Sequence, residues 1–211
     1  MRSTRLLDLI LPQRCAGCAA PATAWCARCT STLGAPVPVA RPGLAAAYAL
    51  GAYQGPARRA VLAYKERGRR ELAPQLGRAL ADALPALPPV RAGPLLLVPA
   101  PSRPSAARAR GGQHMTTVAR RCAEHVPGAV VVPALRLDGR AADSVGLAAH
   151  ERAANLLGRL RPDPRHRPPP GVPAVVLDDV ITTGATAAAC TEALRAIGVP
   201  VTAVLALTAT T

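Results

Sequence analysis

The chain holds no phenylalanine, one tryptophan, three tyrosines and a single lysine, Lys65, among 211 residues. Aromatic residues make up 2% of it, which leaves few rings on which the bases of a single strand could stack. With lysine nearly absent, the formal net charge of +14 is carried by arginine, in a chain otherwise dominated by Ala, Pro and Gly, the usage of GC-rich coding. Such a charge admits an anionic partner (nucleic acid, phosphorylated metabolite or membrane surface) but does not select one. No run approaches the ~18 consecutive apolar residues that span a bilayer, so no membrane span is expected. A hydrophobic content of 50% argues against a disordered chain, and the length suits one substantial core with a small appendage.

Met1-Arg2-Ser3-Thr4-Arg5 precedes Leu6-Leu7-Asp8-Leu9-Ile10-Leu11, whose short apolar stretch contains Asp8 and meets Pro12 and Arg14. This pattern predicts a short amphipathic helix and not a secretory leader. A cytoplasmic location with reduced cysteines is therefore expected. Cys15-Ala16-Gly17-Cys18 and Cys26-Ala27-Arg28-Cys29 form two CxxC pairs seven residues apart. Each CxxC lets two sulfurs point the same way across a tight turn, so four thiolates can converge on one tetrahedral zinc. The alternatives are two local disulfides, or one redox-active pair beside a spare one, and neither explains why both pairs lie so close in a reducing compartment. Four thiolates leave no open position for water, which makes the site structural, or a means of presenting a surface. Cys122 and Cys190 stand alone among apolar helical residues and read as core cysteines.

Pro36, Pro38, Pro42 and Gly43 read as a linker between an N-terminal knuckle module, 1–35, and a main domain, 44–211. A strand is expected within 44–53, and a helix opens at Gln54-Gly55-Pro56 and runs through Lys65. Leu72, Leu76, Leu80 and Leu84 form an i, i+4 stripe that predicts a helix over 71–84. Strands are expected at 95–98, 129–135, 174–179 and 200–207, with helices over 113–125, 148–157 and 185–197. The Pro-rich 162–171 reads as a surface loop. Alternating βα units of this kind predict an α/β fold with a mostly parallel central sheet flanked by helices.

Two strand ends carry chemistry. Leu95-Leu96-Leu97-Val98 runs into Pro99-Ala100-Pro101-Ser102-Arg103, a rigid turn followed by a basic residue that suits an anion. Val175-Val176-Leu177-Asp178-Asp179-Val180-Ile181 runs into Thr182-Thr183-Gly184-Ala185-Thr186 and then a helix, and Asp178-Asp179 is the one adjacent acidic pair in the chain. Open α/β sheets bind ligands at the carboxyl ends of strands, and a helix N-terminus there offers unpaired N–H groups to a phosphate. The second strand end therefore reads as a ribose-phosphate site.

The DDxxTTGxT run has the spacing of the 5-phosphoribosyl 1-pyrophosphate (PRPP) signature of type I phosphoribosyltransferases. Roughly residues 5 to 208 resemble the ComF/GntX family, through the order of their motifs. The four-cysteine knuckle comes first, followed by Tyr64-Lys65-Glu66-Arg67-Gly68-Arg69-Arg70-Glu71-Leu72 and by Val98-Pro99-Ala100-Pro101. Gly146-Leu147, Glu151-Arg152 and Asn155 then precede the PRPP signature. Where many members read Arg-Gly-Phe-Asn-Gln, this chain has Arg110-Gly111-Gly112-Gln113-His114, and Ser144 stands where a glutamine is frequent. These departures bear on an acceptor pocket more than on the phosphoribosyl site, and His114 reads as a polar helix residue rather than a general base.

The resemblance implies a type I phosphoribosyltransferase-like fold with a zinc-bearing N-terminal module. It also implies that Asp178 and Asp179 accept hydrogen bonds from the ribose 2- and 3-hydroxyls, and that Thr182, Thr183, Gly184, Ala185 and Thr186 wrap the 5-phosphate. Pro99, Ala100, Pro101, Ser102 and Arg103 would line the pyrophosphate, while Lys65 would add positive charge to it and magnesium would be held by the substrate's own oxygens. Cys15, Cys18, Cys26 and Cys29 would hold the zinc. By this resemblance the protein binds PRPP, transfers phosphoribosyl to an unspecified acceptor, and is similar to proteins of DNA uptake and natural transformation. Two alternatives stay open: a non-enzymatic module binding single-stranded DNA, and a nucleobase-salvage phosphoribosyltransferase. The oligomeric state is left open.

Overall fold

A computed structural model describes residues 13–44, 46–88, 93–109, 111–138 and 159–210. The expected N-terminal amphipathic helix and the helix over 148–157 lie outside these residues. So do Arg110, Arg140, Asp143, Ser144, Gly146, Leu147, Glu151, Arg152 and Asn155.

Within the knuckle, α1 (Ala27–Thr30) is a single turn. The strands β1 (Val37–Pro38) and β2 (Ala47–Ala49) follow. Next come α2 (Gly55–Glu66) and α3 (Ala73–Ala83), the latter entered and left through 3-10 turns at Arg70–Leu72 and Leu84–Ala86. After β3 (Leu95–Pro99) the chain forms α4 (Pro104–Ala109), α5 (His114–Ala123) and β4 (Ala129–Val131). A short pair, β5 (Leu135–Leu137) and β6 (Leu160–Pro162), precedes β7 (Ala174–Ile181), α6 (Ala185–Arg195) and β8 (Val201–Ala209).

Six strands form one sheet in the order β1-β2-β8-β7-β3-β4, parallel except for β1. A parallel sheet is covered on both faces, so its inner strands are apolar at every position instead of alternating. Leu95 and Leu97 pack with α2, α3, α5 and the knuckle residues Cys15, Trp25 and Cys29 in one core. Leu96 and Val98 face α6 and the β5–β6 pair in the other. The mixed α/β architecture with a mostly parallel sheet agrees with the βα pattern of the sequence. Leu72, Leu76, Leu80 and Leu84 are all fully buried, as their spacing requires.

Three sequence expectations need correction. The strand over 129–135 is two strands in different sheets: Pro133 supplies no N–H, the pairing of β4 with β3 stops at Val131, and β5 turns away to pair antiparallel with β6. The linker over 36–43 contains β1, which pairs antiparallel with β2 at the sheet edge, where a proline is tolerated. Strand β7 continues to Ile181, so Asp178 and Asp179 lie inside the strand and not at its last residue.

Gly77 shows how tightly one face is built, because a Cβ there would stand 2.5 Å from the Cβ of Arg121 and 2.8 Å from the backbone nitrogen of Cys122. The missing side chain lets α3 and α5 touch backbone to side chain. Alanine would gain about 1 kcal/mol in helix propensity but would force the helices apart at an overpacking cost of roughly 1–3 kcal/mol. Gly77→Ala is therefore expected to lower the denaturant midpoint of unfolding. A raised midpoint would show that the helices separate without cost.

Candidate functional site

Neighbouring strands β3 and β7 pair in parallel from Leu96↔Ala174 to Pro99↔Leu177. From β3 the chain crosses through α4 and α5 to β4 on one side, with α5 against the first core. From β7 it crosses through α6 to β8 on the other side, with α6 against the second core. Connections that diverge from two adjacent parallel strands open a crevice at their carboxyl ends, the place where such sheets bind ligands. The N–H of Ala100 donates to the Leu177 carbonyl at 2.8 Å. That bond sets the turn Pro99-Ala100-Pro101-Ser102-Arg103 beside the acidic pair.

Asp178 and Asp179 are 8% and 5% exposed. One oxygen of Asp179, Oδ2, accepts hydrogen bonds from Lys65 Nζ and from His114 Nε2, each at 2.8 Å. His114 Nδ1 lies 2.9 Å from Ser102 Oγ. The ring thus bridges the two: Nε2–H donates to the carboxylate, and Nδ1 meets the Ser102 hydroxyl. Asp178 Oδ1 accepts the N–H of Asp179 at 2.8 Å. Burial alone would raise both carboxyls. For Asp179 the His114 hydrogen bond and the Lys65 charge outweigh burial and hold it down at about 2. For Asp178 burial wins, aided by the Asp179 charge, and pushes it up to about 8. Around neutral pH the pair therefore holds one proton, on Asp178.

Ser102, His114 and Asp179 have the composition of a hydrolytic triad, but the surroundings are those of a positioning network. The Ser102 N–H, which an oxyanion hole would use, donates to Gln113 Oε1 at 2.7 Å. Gln113 Nε2 returns a bond to the Ser102 carbonyl at 3.3 Å, and Asp179 is shared with Lys65. His114 opens α5, its carbonyl accepts from the Tyr64 hydroxyl at 2.8 Å, and its ring lines a cleft of about 160 Å³ with Gly68, Arg70 and Gly111. His114, expected to be a polar helix residue, does open a helix but also belongs to the site, as does Gln113. Their only signal was that both depart from the family's Arg-Gly-Phe-Asn-Gln segment.

The second turn follows directly on β7. Thr182 and Thr183 are exposed, while Gly184 is buried at φ 81°, in the left-handed region that favours glycine, and serves as N-cap of α6. The Ala185 N–H points at Thr183 Oγ1, 3.4 Å away. The first N–H groups of α6 have no partner within the helix. Of the residues singled out in the sequence, Lys65, Asp178 and Asp179 meet directly, and Ser102 joins them through His114. The Thr182–Thr186 turn adjoins them, and Arg103 stands exposed at the head of α4.

The four knuckle cysteines also meet. Their sulfurs all lie within 4.8 Å of one another, with Cys15–Cys26 at 3.6 Å and Cys18–Cys26 at 3.7 Å. Tetrahedral zinc with Zn–S bonds near 2.3 Å separates its sulfurs by about 3.8 Å, so the cluster has the right size for a metal ion. Cys15 Sγ accepts N–H bonds from Gly17 and Cys26 at 3.4 and 3.3 Å. Burial opposes ionisation of Cys15, yet the backbone donors around it draw the thiol down to about 6. Gly17 is forced by space: a Cβ there would come within 2.7 Å of Cys29 Sγ. No helix among the described residues is long and apolar enough to cross a membrane.

No protein-family model matches the chain, and no curated protein matches it. Among solved structures it is similar to phosphoribosyltransferases. Two are crystal forms of a hypoxanthine phosphoribosyltransferase from Staphylococcus aureus, at 14% and 15% identity and TM-scores of 0.34 and 0.36. Each match covers 67% of this chain, and 62% and 63% of theirs. A glutamic acid mutant from a study of an invariant aspartic acid in HPRTs matches at 16% identity and a TM-score of 0.35, over 67% of this chain and 65% of that one. The chain thus spans less than two thirds of the length of each. At such distances the chemistry of the crevice has to be argued from its own residues.

The acidic pair predicts a pH dependence of opposite sign for its two members. Folded Asp178 keeps its proton up to about 8, whereas the unfolded carboxyl loses it near 3.8, so stability falls as pH rises through that window. Folded Asp179 titrates at about 2, so it contributes stability above 3.8 that is lost as pH falls towards 2. Asp178→Asn is expected to abolish the decline between pH 5 and 8, a difference on the order of a few kcal/mol, and to leave the acid limb in place. Urea unfolding of both proteins across this range tests it. Parallel profiles for wild type and variant would contradict a protonated Asp178.

Proposed function

We propose that the crevice binds PRPP and that the chain is a ComF-type phosphoribosyltransferase-domain protein, divided into a zinc knuckle at 1–35 and a phosphoribosyl domain at 44–211. The observation that carries this reading is the buried Asp178-Asp179 pair, its second member held by Lys65 and His114, three residues before a glycine-capped turn at the head of a helix. A carboxylic acid beside a carboxylate offers both a donor and strong acceptors, which suits two adjacent ribose hydroxyls. The Thr182–Thr186 turn supplies hydroxyls and helix N–H groups to the 5-phosphate.

The pyrophosphate then falls to the Pro99–Arg103 turn. The N–H groups of Ala100 and Ser102 are already used within the protein, so its charge is met by Arg103 and by Lys65, whose side chain is one third exposed and can leave Asp179. Magnesium fits this site as a passenger of the substrate, since the protein offers one protonated acid and one carboxylate already bonded to Lys65 and His114. When bound it would neutralise developing charge on the pyrophosphate. Displacement at the ribose C1 asks no covalent nucleophile of the protein: its residues hold the leaving group and the incoming acceptor in line. The acceptor is a nucleobase if the protein serves salvage, and another nucleophile otherwise. Zinc at Cys15, Cys18, Cys26 and Cys29 is structural, and the protein acts in the cytoplasm, in the handling of DNA taken up by the cell.

One observation favours a second reading, a non-enzymatic module for single-stranded DNA. A cleft of about 450 Å³ between Cys15–Ala19 and α2 is lined by Arg59, Arg67 and Arg69. Arg59 Nε donates to the Gly17 carbonyl at 2.5 Å, which fixes the knuckle against that basic edge.

Calorimetric titration of the zinc-loaded protein with PRPP, with and without magnesium, separates the two. Saturable binding is expected, weakened at least tenfold in the Asp178→Asn, Asp179→Asn double variant. Unchanged PRPP affinity in that variant overturns the proposal. Absence of PRPP binding together with single-strand affinity that falls steeply with salt establishes the second reading.

A further inference from the structure

Arg41 lies in the Pro-rich segment that the sequence presents as a linker, yet its guanidinium reaches the crevice end of the sheet. Its Nε donates to the Thr182 carbonyl at 2.7 Å, and its Nη1 to the Ala40 carbonyl at 2.8 Å. Its Nη2 donates to the Thr210 carbonyl and lies 3.4 Å from Thr210 Oγ1. Thr210 is itself tied to the same place, its N–H donating to the Ile181 carbonyl at 3.0 Å. One planar fork therefore joins the end of β7 to the chain just beyond β8, at the first residue of the turn.

The same segment presses on Gly184. A Cβ at Gly184 would stand 3.0 Å from Arg41 Cβ and 3.1 Å from Leu44 Cδ1. The left-handed glycine and the guanidinium fork thus hold the turn from its two ends. Thr182 and Thr183 are left exposed. A carbonyl that pointed into the turn would repel a phosphate, and Arg41 holds the Thr182 carbonyl on itself.

We infer that Arg41 is a positioning residue for the phosphate turn, holding Thr182 to Gly184 in the shape that receives a ribose 5-phosphate group. The inference rests on the proposed ribose-phosphate reading of the site. Lysine cannot replace Arg41, because an ammonium lacks the fixed fork that spans three carbonyls.

Two measurements on the full chain test it. In the first, hydrogen exchange of the ligand-free protein is followed in peptides covering 182–187 and, as a control, 95–99. Arg41→Ala and Arg41→Lys are both expected to speed exchange in the first peptide about tenfold and to leave the second unchanged. Unchanged exchange in 182–187, or equal acceleration in both peptides, overturns the clamp. In the second, ribose 5-phosphate and inorganic pyrophosphate are titrated separately. Both variants are expected to weaken ribose 5-phosphate about tenfold and to leave pyrophosphate alone, and added methylguanidinium should recover part of the loss in Arg41→Ala but not in Arg41→Lys. Wild-type affinity for ribose 5-phosphate in the variants overturns the role of Arg41. Failure of the wild-type protein to bind ribose 5-phosphate overturns the reading of the site, and with it the role given to Arg41, even where the exchange result upholds the clamp.

Discussion

A carboxylate inside a parallel sheet is costly unless it is paired, and Asp179 is paired twice. Its Oδ2 joins Lys65 at the end of α2 to His114 at the start of α5, and through His114 it reaches Ser102 in the turn after β3. Three separate connections of the fold are thereby fixed to one atom on β7. Loss of that charge would take from a half-buried lysine and a nearly buried histidine the acceptor they share, leaving His114 only Ser102. The neighbouring Asp178 escapes the same cost differently, by keeping its proton. Two adjacent carboxyls of similar burial are thus pushed in opposite directions, a separation that comes from partners rather than from depth.

The sheet explains why those elements can meet. Because β3 and β7 are adjacent and their crossovers leave on opposite faces, both turns open at the same edge of the sheet. The knuckle belongs to the same construction: Cys15, Trp25 and Cys29 share a core with α2 and α3. A metal ion there would fix the knuckle against the flank of α2 that carries Arg59, while Asp179 holds Lys65 near the end of the same helix.

Much of this was legible in the sequence because it is local. Unbroken apolar runs gave the buried strands, the leucine stripe gave α3, and two CxxC pairs seven residues apart gave the sulfur cluster. The strand, acid pair and glycine turn are contiguous, so their juxtaposition needed no tertiary knowledge. What escaped was non-local. His114 bonds across 65 residues to Asp179, and Arg41 across 141 to Thr182. Nothing in the neighbourhood of Arg41 distinguishes it from the chain's many other arginines, and prolines around it read as a linker although two residues of that segment join the sheet. Pro133 breaks the apolar run over 129–135, and the chain there divides between two sheets.

The central claim is spatial: one crevice, formed by two turns and an acidic pair on adjacent strands, holds one phosphoribosyl group. A crystal structure of the protein soaked with PRPP and magnesium tests it most directly. The account predicts ribose hydroxyls on Asp178 and Asp179, the 5-phosphate within Thr182 to Thr186, and the pyrophosphate along Pro99 to Arg103 with Lys65 turned away from Asp179. Density for the ligand elsewhere, or a ligand-free crevice with Lys65 and His114 still closed on Asp179 at saturating PRPP, would contradict it.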